Sequence, residues 1–331
     1  MNKIFACASL ALSAVACHAQ GAAADGDAFA HPHQLVDVGG HRLNLFCSGS
    51  GSPTVVFEAP SGTPGWAWWA VQPRVAEKTR ACVYDRAGFG FSDPATRAAT
   101  SSNEVDDLHA LLVAADVKPP YVLVGNSLGG ANVQLYTWRY PAEVKGLVLV
   151  EPMNEDGTAR LDAVTHGNMS KMMAAFHEEG KACVAQAGKG FAPGSDMMRN
   201  CVEGVDPAYR GALASLDLAT RLAPAFWQAG RAEAEAEAQD EAQLRDARRP
   251  FGDVPLIVLI RGVSPYLIPG KPQSAVNKAI EADNLAMQQA TAKQSTRGSW
   301  RVVAGAGHMI QQDKPEAVVT AVDDLLARIA H

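Results

Sequence analysis

A chain of 331 residues that is 47% hydrophobic and 19% charged has the length and apolar content for one large α/β domain or two small ones, with a sizeable core. Its formal charge of -6 comes without any Lys/Arg cluster, which leaves no footprint for a nucleic acid or an anionic membrane surface. No segment reaches the ~18 consecutive apolar residues of a membrane span.

The chain opens with MNKIFACASLALSAVACHA: Lys3, an apolar run from Ile4 to about Ala16, and small residues at Cys17 and Ala19 before Gln20. This is the pattern of a cleaved secretory signal over residues 1–19. Lipoprotein processing at Cys17 is the alternative, disfavoured by Ala14 where Leu is usual. Export, to periplasm or medium, implies an oxidising compartment. Cys7 and Cys17 fall in the signal, and Cys47, Cys82, Cys183 and Cys201 form no CxxC pair and have no His at ligand spacing, so disulfides are expected in place of zinc. Of three possible pairings, Cys47 to Cys82 joins two strand-like segments and Cys183 to Cys201 joins near neighbours in one helical region; these two are favoured.

Residues 20–32, QGAAADGDAFAHP, are small and turn-rich and read as a loose leader. His31 within it and His33 just after it read as solvated. Alternating residues around Gly39-Gly40 predict a hairpin, followed by a buried strand at Thr54 to Phe57. Another strand, Ala81 to Tyr84, precedes a helix in SNEVDDLHALLVAADV, where Val105, Leu108, Leu111 and Leu112 share a face and Ser102 and Asn103 are candidate caps. His109 in that helix reads as a surface or core residue. The strand YVLV, a Gly-Asn-Ser-Leu-Gly turn, a helix to about Tyr140 and the strand KGLVLVEP follow. Strands alternating with helices predict a mostly parallel sheet flanked by helices. Residues 154–249 lose the strand pattern and predict a helical insertion, with scattered Met169, Met172, Met173, Met197 and Met198 and an Ala/Glu run, AGRAEAEAEAQDEAQLRDARR, that reads as one solvated helix face. Strands return at VPLIVLIRG and SWRVVAGAGH, and PEAVVTAVDDLLARIA predicts a closing helix. The core is thus 20–153 with 250–331, and 154–249 is a cap.

Ser127 lies between a buried strand and a helix, flanked by Gly125 and Gly129, where a tight turn would hold its hydroxyl clear of the sheet. Leu128 places a backbone N–H at the start of the helix. A serine hydroxyl needs a positioned base near neutral pH, and His308 in GAGHMIQQDKP stands just past the last strand, at the edge where open α/β sheets bind ligands.

The segments YDRAGFGFSD, VLVGNSLGG, YPAEVKGLVLVEP and GAGHMIQQDKPE, in this order, resemble the α/β-hydrolase family over about two thirds of the chain. The resemblance implies a triad in the order Ser, acid, His, with Ser127 and His308 carried over directly. The commonest family pattern puts an Asp a few residues after Leu256 to Ile260, but RGVSPYLIPGKPQSAVNKAI contains no acid at all. Some members place the acid one strand earlier, which here is Glu151, with Asp156 and Glu155 as alternatives. The resemblance also implies two oxyanion donors, Leu128 N–H and one from FEAPSGTPG, where many relatives have His-Gly. Pro60 has no N–H to give, leaving Ser61. Trp66, Trp68 and Trp69 nearby are candidates for an acyl pocket or for packing, and the resemblance places Asp85 and Arg86 in an ion network beneath the site. The expected function is a secreted serine hydrolase of small-molecule carboxylic esters, needing no cofactor or metal. An amidase or lactonase with the same triad, or a non-catalytic binding protein on the same fold, are the competing readings. Epoxide and haloalkane hydrolysis on this fold are expected to use an Asp nucleophile, which Ser127 replaces.

Overall fold

The computed structural model describes residues 26–202, 206–268 and 270–330. The signal-like segment 1–19, with Cys7 and Cys17, lies outside the described residues. Strands β1 (Gln34–Asp37) and β2 (Arg42–Ser48) form the expected hairpin, whose turn is closed by Gly39 and Gly40 N–H groups donating to Asp37 Oδ1. Strand β3 (Thr54–Glu58) leads through helix α1 (Gln72–Ala76) to β4 (Ala81–Tyr84). Helix α2 (Ser101–Ala114), strand β5 (Tyr121–Asn126), helix α3 (Leu128–Arg139) and strand β6 (Val144–Val150) complete the first half.

Five helices then intervene: α4 (Gly157–Thr165), α5 (Asn168–Ala187), α6 (Asp196–Cys201), α7 (Gly211–Leu222) and α8 (Pro224–Ala247). Strand β7 (Leu256–Arg261), helix α9 (Ala275–Ala292), strand β8 (Gly298–Val303) and helices α10 (Ile310–Asp313) and α11 (Pro315–Ala330) close the chain. The sheet order is β1-β2-β4-β3-β5-β6-β7-β8, parallel from β4 to β8 and antiparallel at β1 and β2. A parallel sheet covered on both faces favours strands that are largely apolar and buried, and β3 to β7 are buried along nearly all their length, Lys145 of β6 being exposed. Val56, Leu123, Leu147 and Val258 pack toward α2 and α3, while Val55, Val122, Val148 and Ile257 pack toward α11. Among the described residues, no helix is long and apolar enough to cross a membrane.

Both expected disulfides are present. Cys47 and Cys82 are direct partners across β2 and β4, and Cys183 ties α5 to Cys201 of α6. With 18 residues of separation, the second closure removes about 3 kcal/mol of unfolded-chain entropy in the loop-closure picture.

Three readings of the sequence change. The leader is anchored where it is described: Phe29 is buried against Phe46, Asp27 Oδ1 accepts from Ala212 N–H at 2.9 Å, and His33 stacks on Phe46. The cap of α2 is Thr100, not Ser102 or Asn103. The Ala/Glu run is solvated on one side only, with Arg231, Glu235 and Gln239 exposed. Glu233, Asp240 and Glu241 of α8 are buried, a spacing of seven and eight residues that puts them on one side of the helix, facing α2, α3 and the loops of the core.

That buried side meets polar groups from distant parts of the chain, although Asp240 Oδ2 has no hydrogen-bond partner. Asp240 Oδ1 accepts from Ser101 N–H at 2.7 Å and Gln243 Oε1 from Ser102 N–H at 2.7 Å, serving the free N–H groups of the first turn of α2. Glu241 Oε1 accepts from Thr158 N–H at 2.8 Å. Burial pushes the Asp240 carboxyl up to about 7, with the Ser101 hydrogen bond opposing and Glu233 reinforcing the shift. The folded chain therefore holds this proton more tightly than the unfolded chain, whose ordinary value is 3.8, and the Asp240 contribution to stability falls as pH rises from about 4 to about 7. Asp240→Asn should gain stability relative to wild type across that interval and hold a constant difference above it. Melting temperatures measured from pH 4 to 8 check this, and a difference that does not vary with pH would contradict it.

Candidate active site

Strand β5 ends at Asn126 and α3 begins at Leu128, so one residue makes the whole turn. Ser127 takes it at φ 55° and ψ -120°, a conformation that costs about 1–3 kcal/mol for a residue with a side chain. Close packing holds it there. A Cβ at Gly125 would overlap Gly129 O, one at Gly129 would overlap Glu58 O, and one at Gly130 would stand 2.6 Å from Pro152 Cβ. The turn is thus wedged between the ends of β3 and β6. Ser127 N–H donates to Val150 O at 3.2 Å, and Met153 N–H donates to Ser127 O at 2.9 Å.

His308 follows β8 in a loop that the turn itself fixes. Asn126 Nδ2 donates to Val150 O at 2.7 Å and to His308 O at 3.2 Å, and Gln311 Nε2 donates to Asn126 Oδ1 at 3.0 Å. Gly307 N–H donates to Asp313 Oδ2 at 2.7 Å. The residue before Ser127 therefore bonds directly to the backbone of His308.

Glu151 stands at the end of β6, also at positive φ, 45°, and is buried. Its Oε2 lies 3.7 Å from His308 Nδ1, a contact of ion-pair length that is too long for a tight hydrogen bond. Oε1 accepts from Arg261 N–H at 2.7 Å and from Asn284 Nδ2 at 3.3 Å, and Oε2 accepts from Arg261 Nη1 at 2.7 Å. Arg261 also donates to Glu281 at 3.0 and 3.1 Å. Burial pushes the Glu151 carboxyl up, but His308 and Arg261 outweigh it and hold the group below its ordinary value. Glu151 is therefore a carboxylate at neutral pH. The two alternative acids are engaged elsewhere: Glu155 pairs with Arg248 and Asp156 with Arg245.

Leu128 is the first residue of α3, so its N–H has no acceptor within the helix. Ser61 lies in the loop after β3, whose Glu58 and Ala59 carbonyls abut Gly129. Its hydroxyl donates to Glu233 Oε2 at 2.8 Å. Of the three tryptophans, Trp68 is fully buried against Phe57 and Trp66 Nε1 donates to Asp217 Oδ1 at 3.1 Å, so both pack. Trp69 is partly exposed and meets Tyr209 edge-on.

Asp85 and Arg86 directly follow β4 and are both buried. Asp85 accepts from Gly65 N–H at 2.8 Å, Phe91 N–H at 3.0 Å and Asn44 Nδ2 at 2.9 Å. Arg86 is buried among three carboxylates, 3.0 Å from Glu58, 3.6 Å from Glu104 and 2.7 Å from Glu233. Burial pushes Glu58 and Glu104 up despite the guanidinium. Removing one partner of such a buried pair typically costs about 3–5 kcal/mol.

Arg261, Asn126, Gln311 and Glu233 escaped the sequence reading. A charged residue at the end of an otherwise apolar strand marks Arg261, whereas Glu233 is one acid among several on α8, of which Glu235 and Asp246 are exposed. Among the described residues no group of His, Cys, Asp and Glu is arranged to hold a metal ion. Imidazole and carboxylate thus stand 3.7 Å apart, the residue before Ser127 bonds to the His308 backbone, and the Leu128 N–H beside the serine has no acceptor within its helix.

Over 304 residues the chain is 26% identical to the 2-hydroxy-6-oxo-2,4-heptadienoate hydrolase of Pseudomonas putida, covering 89% of this chain and 96% of that protein. A local match at 36% identity to the uncharacterized protein YqjL of Bacillus subtilis covers 104 residues, 31% of this chain and 41% of that protein, so the chain spans less than half of that relative. A solved esterase from Thermogutta terrifontis superposes over 90% of this chain and 99% of its own at 19% identity and a TM-score of 0.59, a likeness of fold. Residues 45–321 match the alpha/beta hydrolase family, and the chain belongs to that family.

Proposed function

We propose that the chain is an exported serine hydrolase that cleaves carboxylic esters through Ser127, His308 and Glu151. The observation that carries this reading is the linkage of the three groups. Ser127 sits on a strained turn whose preceding residue bonds to His308, and the Nδ1 of that histidine faces a buried, ionised Glu151. With Nδ1 toward the carboxylate, Nε2 is the nitrogen left for the serine hydroxyl.

In this mechanism Ser127 Oγ attacks the ester carbonyl carbon while its proton passes to His308. Leu128 and Ser61 N–H groups receive the developing oxyanion. The imidazolium returns the proton to the leaving alkoxide, the alcohol departs, and an acyl-serine remains. Water then attacks the acyl carbon with His308 again taking the proton, the bond from the acyl carbon to Ser127 Oγ breaks as the imidazolium gives that oxygen the proton, and the carboxylic acid leaves. Glu151 orients the imidazole and stabilises its charged form. The apolar leader at 1–19 and the two disulfides support export.

Ser127→Ala should lower turnover of short-chain nitrophenyl esters by more than about a thousandfold and leave the thermal transition near that of wild type; retained turnover would remove Ser127 from the mechanism. Glu151→Gln keeps the shape but not the charge, and kcat should fall by roughly two to four orders of magnitude. A near wild-type kcat in that variant would show that the imidazole is oriented by something else.

A further inference from the structure

Two residues of opposite charge hold the loop after β3 from both sides. Arg86 Nη1 donates to Ala59 O at 2.6 Å and Nη2 to Pro60 O at 2.8 Å. Glu233 Oε2 accepts from Ser61 Oγ at 2.8 Å and from Gly62 N–H at 2.6 Å, while its Oε1 accepts from Arg86 Nε at 2.7 Å. Every one of these bonds constrains Ser61 N–H without using it. The Pro60–Ser61 peptide is planar, so anchoring Pro60 O to Arg86 aims the Ser61 N–H in the opposite direction. Gly62 N–H, bound to Glu233, fixes the next peptide. Pro60 has no N–H and Gly62 N–H is committed, which leaves Ser61 N–H as the one donor of the 60–62 stretch without a protein acceptor among the described residues.

Glu233 belongs to the cap helix, and that helix lies directly on the loops of the core. A Cβ at Gly230 would stand 3.8 Å from Gly62 Cα, and one at Gly88 would stand 2.8 Å from Ala229 Cβ. One turn earlier, Phe226 meets Phe89 edge-on at 6.1 Å. Successive turns of α8 thus rest on residues 62 and 88–89, with Glu233 reaching beneath them to Arg86.

We propose that Glu233 is a positioning residue for the oxyanion donor Ser61 N–H, so that the hydrolytic site is complete only when the cap helix is seated on the core. The inference rests on the reading of Ser127 as nucleophile. An oxyanion donor acts by being held in place before charge develops, and here the holding group comes from the cap. Cap position and transition-state stabilisation are then linked through one carboxylate.

Glu233→Gln preserves the volume but has a single oxygen, which cannot serve both Arg86 and the Ser61–Gly62 pair. On an ester substrate its kcat should fall about tenfold to a hundredfold with KM within about twofold of wild type. Affinity for an alkylboronic acid, whose tetrahedral adduct on a serine mimics the charged intermediate, should fall by a similar factor. A role confined to stability would lower the melting temperature without moving boronate affinity. Ser61→Ala, at an exposed position, keeps the N–H and removes one bond to Glu233. It should lower kcat several-fold in the wild-type background and have no effect in the Glu233→Gln background. Wild-type kcat and boronate affinity in Glu233→Gln would overturn the proposal. If that variant does not fold, wild-type kcat in Ser61→Ala overturns it. Undiminished turnover in Ser127→Ala would instead overturn the reading beneath it.

Discussion

The site depends on how closely the backbone passes itself at the turn from β5 to α3. Three positions without side chains, Gly125, Gly129 and Gly130, let the start of α3 approach the ends of β3 and β6 to distances that no Cβ would permit. This contact brings the loop of β3 and the end of β6 to the same serine, and it confines Ser127 to a strained conformation that the surrounding packing enforces. Asn126 extends the constraint to the far side of the sheet by bonding to His308 O. Four separate segments of the chain thus meet at one residue, and the apolar strands on either side exist in part to hold that turn rigid.

Charge is arranged around this turn in two clusters, each centred on an arginine. Arg261 lies between Glu151 and Glu281, and Arg86 lies among Glu58, Glu104 and Glu233. Burying a carboxylate is costly unless it is paired and hydrogen-bonded, and Glu151 receives three hydrogen bonds. Arg261 compensates for an acid that sits at the end of β6 and not after β7, since its own backbone N–H and its guanidinium both reach back across the strand pair. The same cation draws on the charge that Glu151 offers to His308. The carboxylate is shared between the Arg261 guanidinium and the His308 imidazole, and both help hold it ionised.

The parallel sheet, both disulfides and the position of the serine were legible because each has a local signature. Strand periodicity, cysteines in adjacent strands and a glycine-flanked serine after an apolar run need no knowledge of distant residues. The candidate acid Glu151 came from the family resemblance, once residues 261–280 proved to hold no carboxylate. The buried side of α8 was not legible, because its partners are Arg86, Ser101 and Thr158, far away in the chain. An Ala/Glu-rich composition normally signals a helix in water, and it misleads here because the acids at 233, 240 and 241 meet a guanidinium and free backbone N–H groups. The leader misled for a related reason: Phe29, a single aromatic in a run of small residues, finds a buried place against Phe46.

The central claim is that the turn, the imidazole and the carboxylate make Ser127 a working nucleophile. Treating the folded protein with a fluorophosphonate, then measuring intact mass and mapping the labelled peptide, tests it without knowledge of the substrate. One adduct per chain is expected, on Ser127. A folded chain that takes up no label, or that carries it on another residue, would contradict it.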